Sequence, residues 1–213
     1  MNQTYTRLLF QPELENPVLV AGLPGIGNVG RIVAKLLIES SRAKLFAELY
    51  SPSFPDYVPI DKKGVCRLPR YEFYAPTTNG NFVVLTGDTQ PPLEDVPAHY
   101  EVCGDVLDLA GKIGCSYLIT VEGAPSSHPT REVYVAATSK KQAEGYTRKD
   151  AMIYKGKRIM GAPGLLLGLG KRRGLEGICV LGPTLGVTTD RETAFRVYKF
   201  VRKVLGIDAR EGI

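Results

Sequence analysis

Short apolar runs along this chain alternate with apolar positions spaced three and four residues apart. The first pattern reads as buried strands and the second as helices with one buried face. Pro17–Gly22 is a strand that leads through a glycine-rich turn into a helix from about Asn28 to Ser41. Val29, Ile32, Val33, Leu36 and Leu37 fall on one side of that helix. Strands follow at Lys44–Tyr50, Asn81–Thr86, Ser116–Glu122, Val133–Ala137 and Gly177–Gly182. A helix near Ala98–Ile113 carries the stripe Val102, Val106, Leu109, Ala110 and Ile113, and Gly114 stands where a helix C-terminal glycine is expected. A short polar helix covers Ser139–Gly145. A glycine-rich helix lies within Met160–Gly174, with Pro163 suited to its first turn. Thr189 and Glu192 have capping-box spacing and open a last helix to Leu205, with Ala194, Val197, Tyr198, Val201 and Leu205 on its buried face. Strands alternating with helices predict an α/β fold with a largely parallel sheet.

Residues 51–80 break the alternation. Three prolines punctuate Ser51–Pro59, and short strands at Val65–Leu68 and Tyr71–Tyr74 are separated by turn residues. The segment reads as an antiparallel excursion, a hairpin projecting from the main sheet. It carries Phe54, Tyr57, Tyr71, Phe73 and Tyr74, which form either a small core of their own or an assembly surface.

The chain has 213 residues, 44% of them apolar and 23% charged, which is ordinary globular composition. This size suits one domain spanning 1–213, with a loose polar tail over 208–213. Cys66, Cys103, Cys115 and Cys179 include no Cys-x-x-Cys pair, and the histidines are His99 and His128 alone. Structural zinc is disfavoured, and the cysteines read as buried small hydrophobes in a reducing compartment. The first ten residues lack a signal-peptide pattern, and no run reaches the ~18 apolar residues of a membrane span. A cytoplasmic protein without membrane contact is the expectation.

The net charge of +5 is uneven. Residues 1–106 hold 9 basic and 12 acidic residues, net −3, and residues 107–213 hold 18 and 10, net +8. Such asymmetry raises the question of nucleic acid. The cations are dispersed, however. Lys171, Arg172 and Arg173 close the glycine-rich helix, where its dipole favours cations. Arg196, Lys199, Arg202 and Lys203 lie on the polar side of the last helix, while Lys155, Lys157 and Arg158 flank a glycine turn. No aromatic RNA-binding motif accompanies them, so nucleic acid is not the expected partner.

One motif invites chemistry. Gly25-Ile26-Gly27-Asn28-Val29-Gly30 matches G-x-G-x-x-G after a strand and before a helix, and Glu48 ends the next strand where a ribose-binding acid would stand. Such a turn cradles a pyrophosphate, or else it is a tight turn that needs glycine for its backbone alone. Asp88 and Glu122 each close a strand and, with Gly25, Gly27, Asn28 and Gly30, outline a candidate anion or ligand crevice at the strands' carboxyl ends. The two acids suit acid–base work or the capping of the following segment. Ser126, Ser127 and His128 adjoin in a loop, but neither a G-x-S-x-G elbow nor a P-loop exists. No catalytic residue, metal ligand or cofactor is assigned.

Pro24–Gly30, Tyr50-Ser51-Pro52 with Phe54-Pro55, Leu85–Pro91, Gly164–Gly170 and Glu176–Cys179 together resemble the archaeal branch of the proteasome assembly chaperone family, relatives of the second eukaryotic chaperone. The resemblance runs in order from about Pro17 to Leu205. It implies a three-layer α/β/α fold of the phosphorylase/hydrolase-like class. It also implies a homo-oligomer without established catalysis that binds proteasome α-subunits or a related assembly partner. Docking members of the family end in a hydrophobic–tyrosine–any tripeptide. This sequence ends Glu211-Gly212-Ile213, which directs attention to other surfaces.

Overall fold

The computed structural model describes residues 1–77, 80–147 and 150–207. The expected loose tail over 208–213 lies outside the described residues. A nine-stranded sheet runs in the order β1-β3-β4-β5-β2-β6-β9-β7-β8. Its centre is parallel: β2 (Val18–Ala21) lies between β5 (Phe82–Gly87) and β6 (Tyr117–Pro125), and β9 (Glu176–Thr184) follows β6. These strands are almost wholly buried, as their near-continuous apolar runs require.

The flanks are antiparallel. β1 (Tyr5–Leu8) pairs with β3 (Lys44–Tyr50), β3 with β4 (Tyr71–Ala75), and β4 with β5. On the far side β7 (Val133–Ala137) is antiparallel to β9, and the short β8 (Ala151–Ile153) runs parallel to β7. The sheet is therefore mixed, not largely parallel. β1, β4, β7 and β8 all run against the central strands, and β4 does so between two neighbours that share the central direction.

Helices cover both faces. α1 (Val29–Ser40) and α5 (Arg191–Leu205) pack side by side on one face, over a core containing Val20, Val33, Ile119, Val180 and Val197. α2 (Val96–Lys112) and α4 (Gly161–Arg172) cover the other, over Phe46, Phe73, Leu85, Val106 and Leu166. α3 (Lys140–Thr147) links β7 to β8. Asp95 caps α2, its side chain accepting the Ala98 N–H at 3.2 Å. Asp190 caps α5 through the Thr193 N–H at 2.9 Å, so the cap is one residue beyond the expected Thr189.

The projecting hairpin is also corrected. Tyr71–Tyr74 is a strand, but it belongs to the main sheet as part of β4. Val65–Leu68 is not a strand, and the loop between β3 and β4 holds only an isolated Ile60–Cys66 bridge. Tyr71 and Phe73 point into the α2 side of the main core, joined by Phe54, whose ring centroid lies 4.9 Å from that of Tyr71. These three are core residues, neither an assembly surface nor a separate core. Tyr74 is half-buried and its hydroxyl donates to Glu72 at 2.9 Å. Of the five aromatics only Tyr57 is exposed. Cys66, expected to be buried, is exposed as well, while Cys103, Cys115 and Cys179 are buried.

Candidate functional site

The glycine turn joins β2 to α1. Gly27 (φ +61°) and Asn28 (φ +52°) are both left-handed and form a single 3-10 turn with Ile26 before α1 begins. Glycine suits the first of these positions because it lacks a Cβ. Gly30 serves packing instead: a Cβ there would lie 2.5 Å from the Val121 carbonyl oxygen, so only glycine lets α1 approach β6 this closely. The turn is roofed from above. The Gly27 carbonyl accepts the Asp190 N–H at 2.9 Å, and Asn28 Nδ2 donates to Thr189 Oγ1 at 3.3 Å.

The space beside Gly25 is taken by the chain itself. The Glu122 carboxylate lies against Gly25, filling the space of the missing side chain. Its Oε1 accepts the Gly123 N–H at 2.8 Å, and the Ile26 N–H also hydrogen-bonds to it. Burial pushes its pKa up to about 7, against the opposing effect of those two N–H groups. Glu48 does not serve as the ribose acid. It lies on β3, separated from β2 by β4 and β5, and is buried against Arg70 Nη1 at 2.5 Å and the Tyr50 hydroxyl at 3.1 Å.

Asp88 is committed as well. Arg67 grips both its oxygens, at 2.5 and 2.7 Å, and the Arg70 N–H donates to it at 3.0 Å. Burial opposes ionisation of Asp88, but the hydrogen bonds and charge of Arg67 and the Arg70 N–H outweigh it and hold the carboxyl below its ordinary range. Asp88 directly follows β5, whereas Glu122 lies inside β6, three residues before its end at Pro125 and not at a strand end as expected. β2 runs between the two strands, so two strand spacings of about 4.8 Å each separate them. Each is bound to its own local partners. Ser127 meets His128 Nδ1 at 3.1 Å in an exposed loop. Among the described residues no group of three or more His, Cys, Asp or Glu is placed to hold a metal ion.

Of an apolar rim the sequence pattern named only Tyr57, as a candidate for an assembly surface. β3, β5 and β9 all run toward the same edge of the sheet, and the loops that leave them there carry exposed apolar side chains. The loop after β3 exposes Tyr57, Val58, Ile60, Val65 and Leu68. Leu93 is exposed after β5, and Leu185 and Val187 after β9. The available signal was apolar residues within Pro- and Gly-rich turns, where a core has no use for them. Exposed apolar groups gathered at one end of a fold are typical of protein-binding surfaces.

Residues 19–211 match the model of the PAC2 family. The chain belongs to the PAC2 family. It is 37% identical to Pyrococcus furiosus PbaB, an archaeal proteasome activator, with a TM-score of 0.89 over 98% of this chain and 91% of that one. Pyrococcus furiosus PbaA, an archaeal homologue of proteasome-assembly chaperone, shares 26% identity and a TM-score of 0.80 over 96% and 83%. An uncharacterized Methanocaldococcus jannaschii protein is 32% identical over 92% of this chain and 76% of its own length. The PAC2 fold here is the α/β arrangement with a nine-stranded mixed sheet flanked by helices. Among the described residues, no helix is long and apolar enough to cross a membrane.

Proposed function

We propose that this PAC2 protein is a non-catalytic, homo-oligomeric factor that binds proteasome α-subunits and assists or activates proteasomes. The observation that carries this reading is the similarity to PbaB over nearly the whole of both chains. The apolar rim supports it, because a factor that binds another protein uses exposed apolar surface. Glu122, Asp88 and Glu48 hydrogen-bond to the chain's own backbone and arginines. The rim loops after β3, β5 and β9 are the docking surface in this proposal.

Pull-down and native mass spectrometry with archaeal proteasome α-subunits test the proposal. A complex containing more than one copy of the chain is expected, weakened when Leu185 and Val187 are both replaced by Asp. A strict monomer that ignores the α-subunits at all salt concentrations overturns it.

A further inference from the structure

A groove of about 330 Å³ runs along the outer flank of α4, away from the rim and the glycine turn. Its far wall is the strap from Tyr154 to Ile159 that follows β8. The strap is fastened at both ends. The Tyr154 N–H donates to the Val135 carbonyl at 2.8 Å, and the Ile159 backbone lies against Gly164, where a Cβ would collide with its carbonyl. Ala136, Ala137 and Leu167 supply an apolar floor.

The charge on this groove has one sign. Lys157 and Arg158 stand on the strap and Lys171 on α4, and no acidic residue lines it. None of the three is ion-paired among the described residues. Gly168 faces the groove from mid-helix, and a Cβ built on it meets nothing within 4 Å. Glycine there costs the helix up to about 1 kcal/mol relative to alanine. Neither a turn nor a close packing contact explains it, and its effect is to keep the wall low.

We infer that this groove is a second binding site, which takes an extended acidic peptide segment of a partner protein. The three cations favour carboxylates at the rim, and the alanine and leucine floor favours an apolar side chain beneath them. A chain that alternates acidic and apolar residues meets both demands, because successive side chains of an extended segment point to opposite sides. The site is separate from the docking rim, so it stands or falls independently of the proteasome reading.

The test is fluorescence anisotropy of the full chain with three labelled hexapeptides: alternating Glu and Leu, alternating Lys and Leu, and all Glu. The Glu/Leu peptide is expected to bind about tenfold tighter than either other. Its affinity should fall as salt rises, since the Debye length is only about 10 Å at 0.1 M. The triple variant Lys157→Glu, Arg158→Glu, Lys171→Glu should lose at least about tenfold. Gly168→Leu should lose a similar factor by filling the groove, with no fall in melting temperature. Equal binding of the Lys/Leu peptide, undiminished binding by Gly168→Leu, or no peptide binding overturns the proposal. Inorganic polyphosphate binding more tightly than the Glu/Leu peptide also overturns it, and assigns the groove to a polyanion. α-Subunit capture by the same variants stays unchanged if the two sites are distinct.

Discussion

The Glu122 carboxylate sits in the space that a side chain at Gly25 would occupy. Gly25 has extended backbone (φ −173°), open to any residue, so only this contact requires glycine. Gly25→Ala should therefore cost about 1–3 kcal/mol by overpacking. Combining it with Glu122→Ala should cost less than the sum of the two single changes, because the second removes what the first collides with. Urea unfolding of the four proteins measures the coupling, and strict additivity would contradict the contact.

The same carboxylate makes stability depend on pH. Glu122 has a folded pKa of about 7 against 4.5 when unperturbed. Between those values the folded state holds a proton that the unfolded state has released. Stability contributed by this group is thus present in full below about pH 4.5 and is lost as pH rises to about 7, by an amount on the order of 3 kcal/mol. Glu122→Gln should flatten that limb in denaturant titrations across pH 4.5–8. An unchanged limb would show that another group causes it.

Asp88 fastens the long loop after β3 to the end of β5 through Arg67 and the Arg70 N–H. Its folded pKa is lowered from 3.8, so its contribution is present above about pH 4 and is lost as pH falls through the folded value. Asp88→Ala removes charge-assisted hydrogen bonds of about 1.5–3 kcal/mol each and leaves the Arg70 N–H without this acceptor. Limited proteolysis should then cut first within residues 51–70. Unchanged cleavage sites and rates would mean that the loop is held by other contacts.

Two helical glycines should respond to alanine with opposite signs. Gly104, in the middle of α2, has only Arg173 Nη2 near a built Cβ, at 3.7 Å, an ordinary contact. Gly104→Ala should stabilise by about 0.5–1 kcal/mol through helix propensity. Gly30→Ala gains the same propensity but forces a Cβ onto the Val121 carbonyl, so its melting temperature should fall. Equal shifts would remove the packing argument for Gly30.

The helices were legible because each buries one stripe. Val29, Val33 and Leu37 line α1, and Val197 and Val201 line α5, in the register their spacing predicts. The central strands were legible as apolar runs. Direction and neighbours were not, because alternation along Tyr71–Ala75 fixes which residues share a face but not which strands adjoin them. The same alternation fits a projecting hairpin as well as a strand of the main sheet, where Tyr71 and Phe73 belong to the α2 core. β1 gives no core signal because all four of its residues are exposed, and β8 gives little because it has only three residues. At the candidate site the sequence named Gly25 and Glu122 together as parts of a crevice. It gave no sign that the second fills the first, since that depends on a turn and a strand almost a hundred residues apart. The similarity to proteasome-associated chaperones was legible from several short motifs in register, which is stronger than any one glycine pattern.

The position of β2 sets a timetable for the molecule. Val18, near the amino end, pairs with Phe82 on one side and Tyr117 on the other, 64 and 99 residues later. During synthesis the middle strand of the sheet is made early and waits for both neighbours. The β3–β4 pair can form while β2 still lacks either one. Loop closure over such distances slows folding and prolongs the exposure of apolar strands. A factor of this architecture completes its own centre only after more than half of it has left the ribosome.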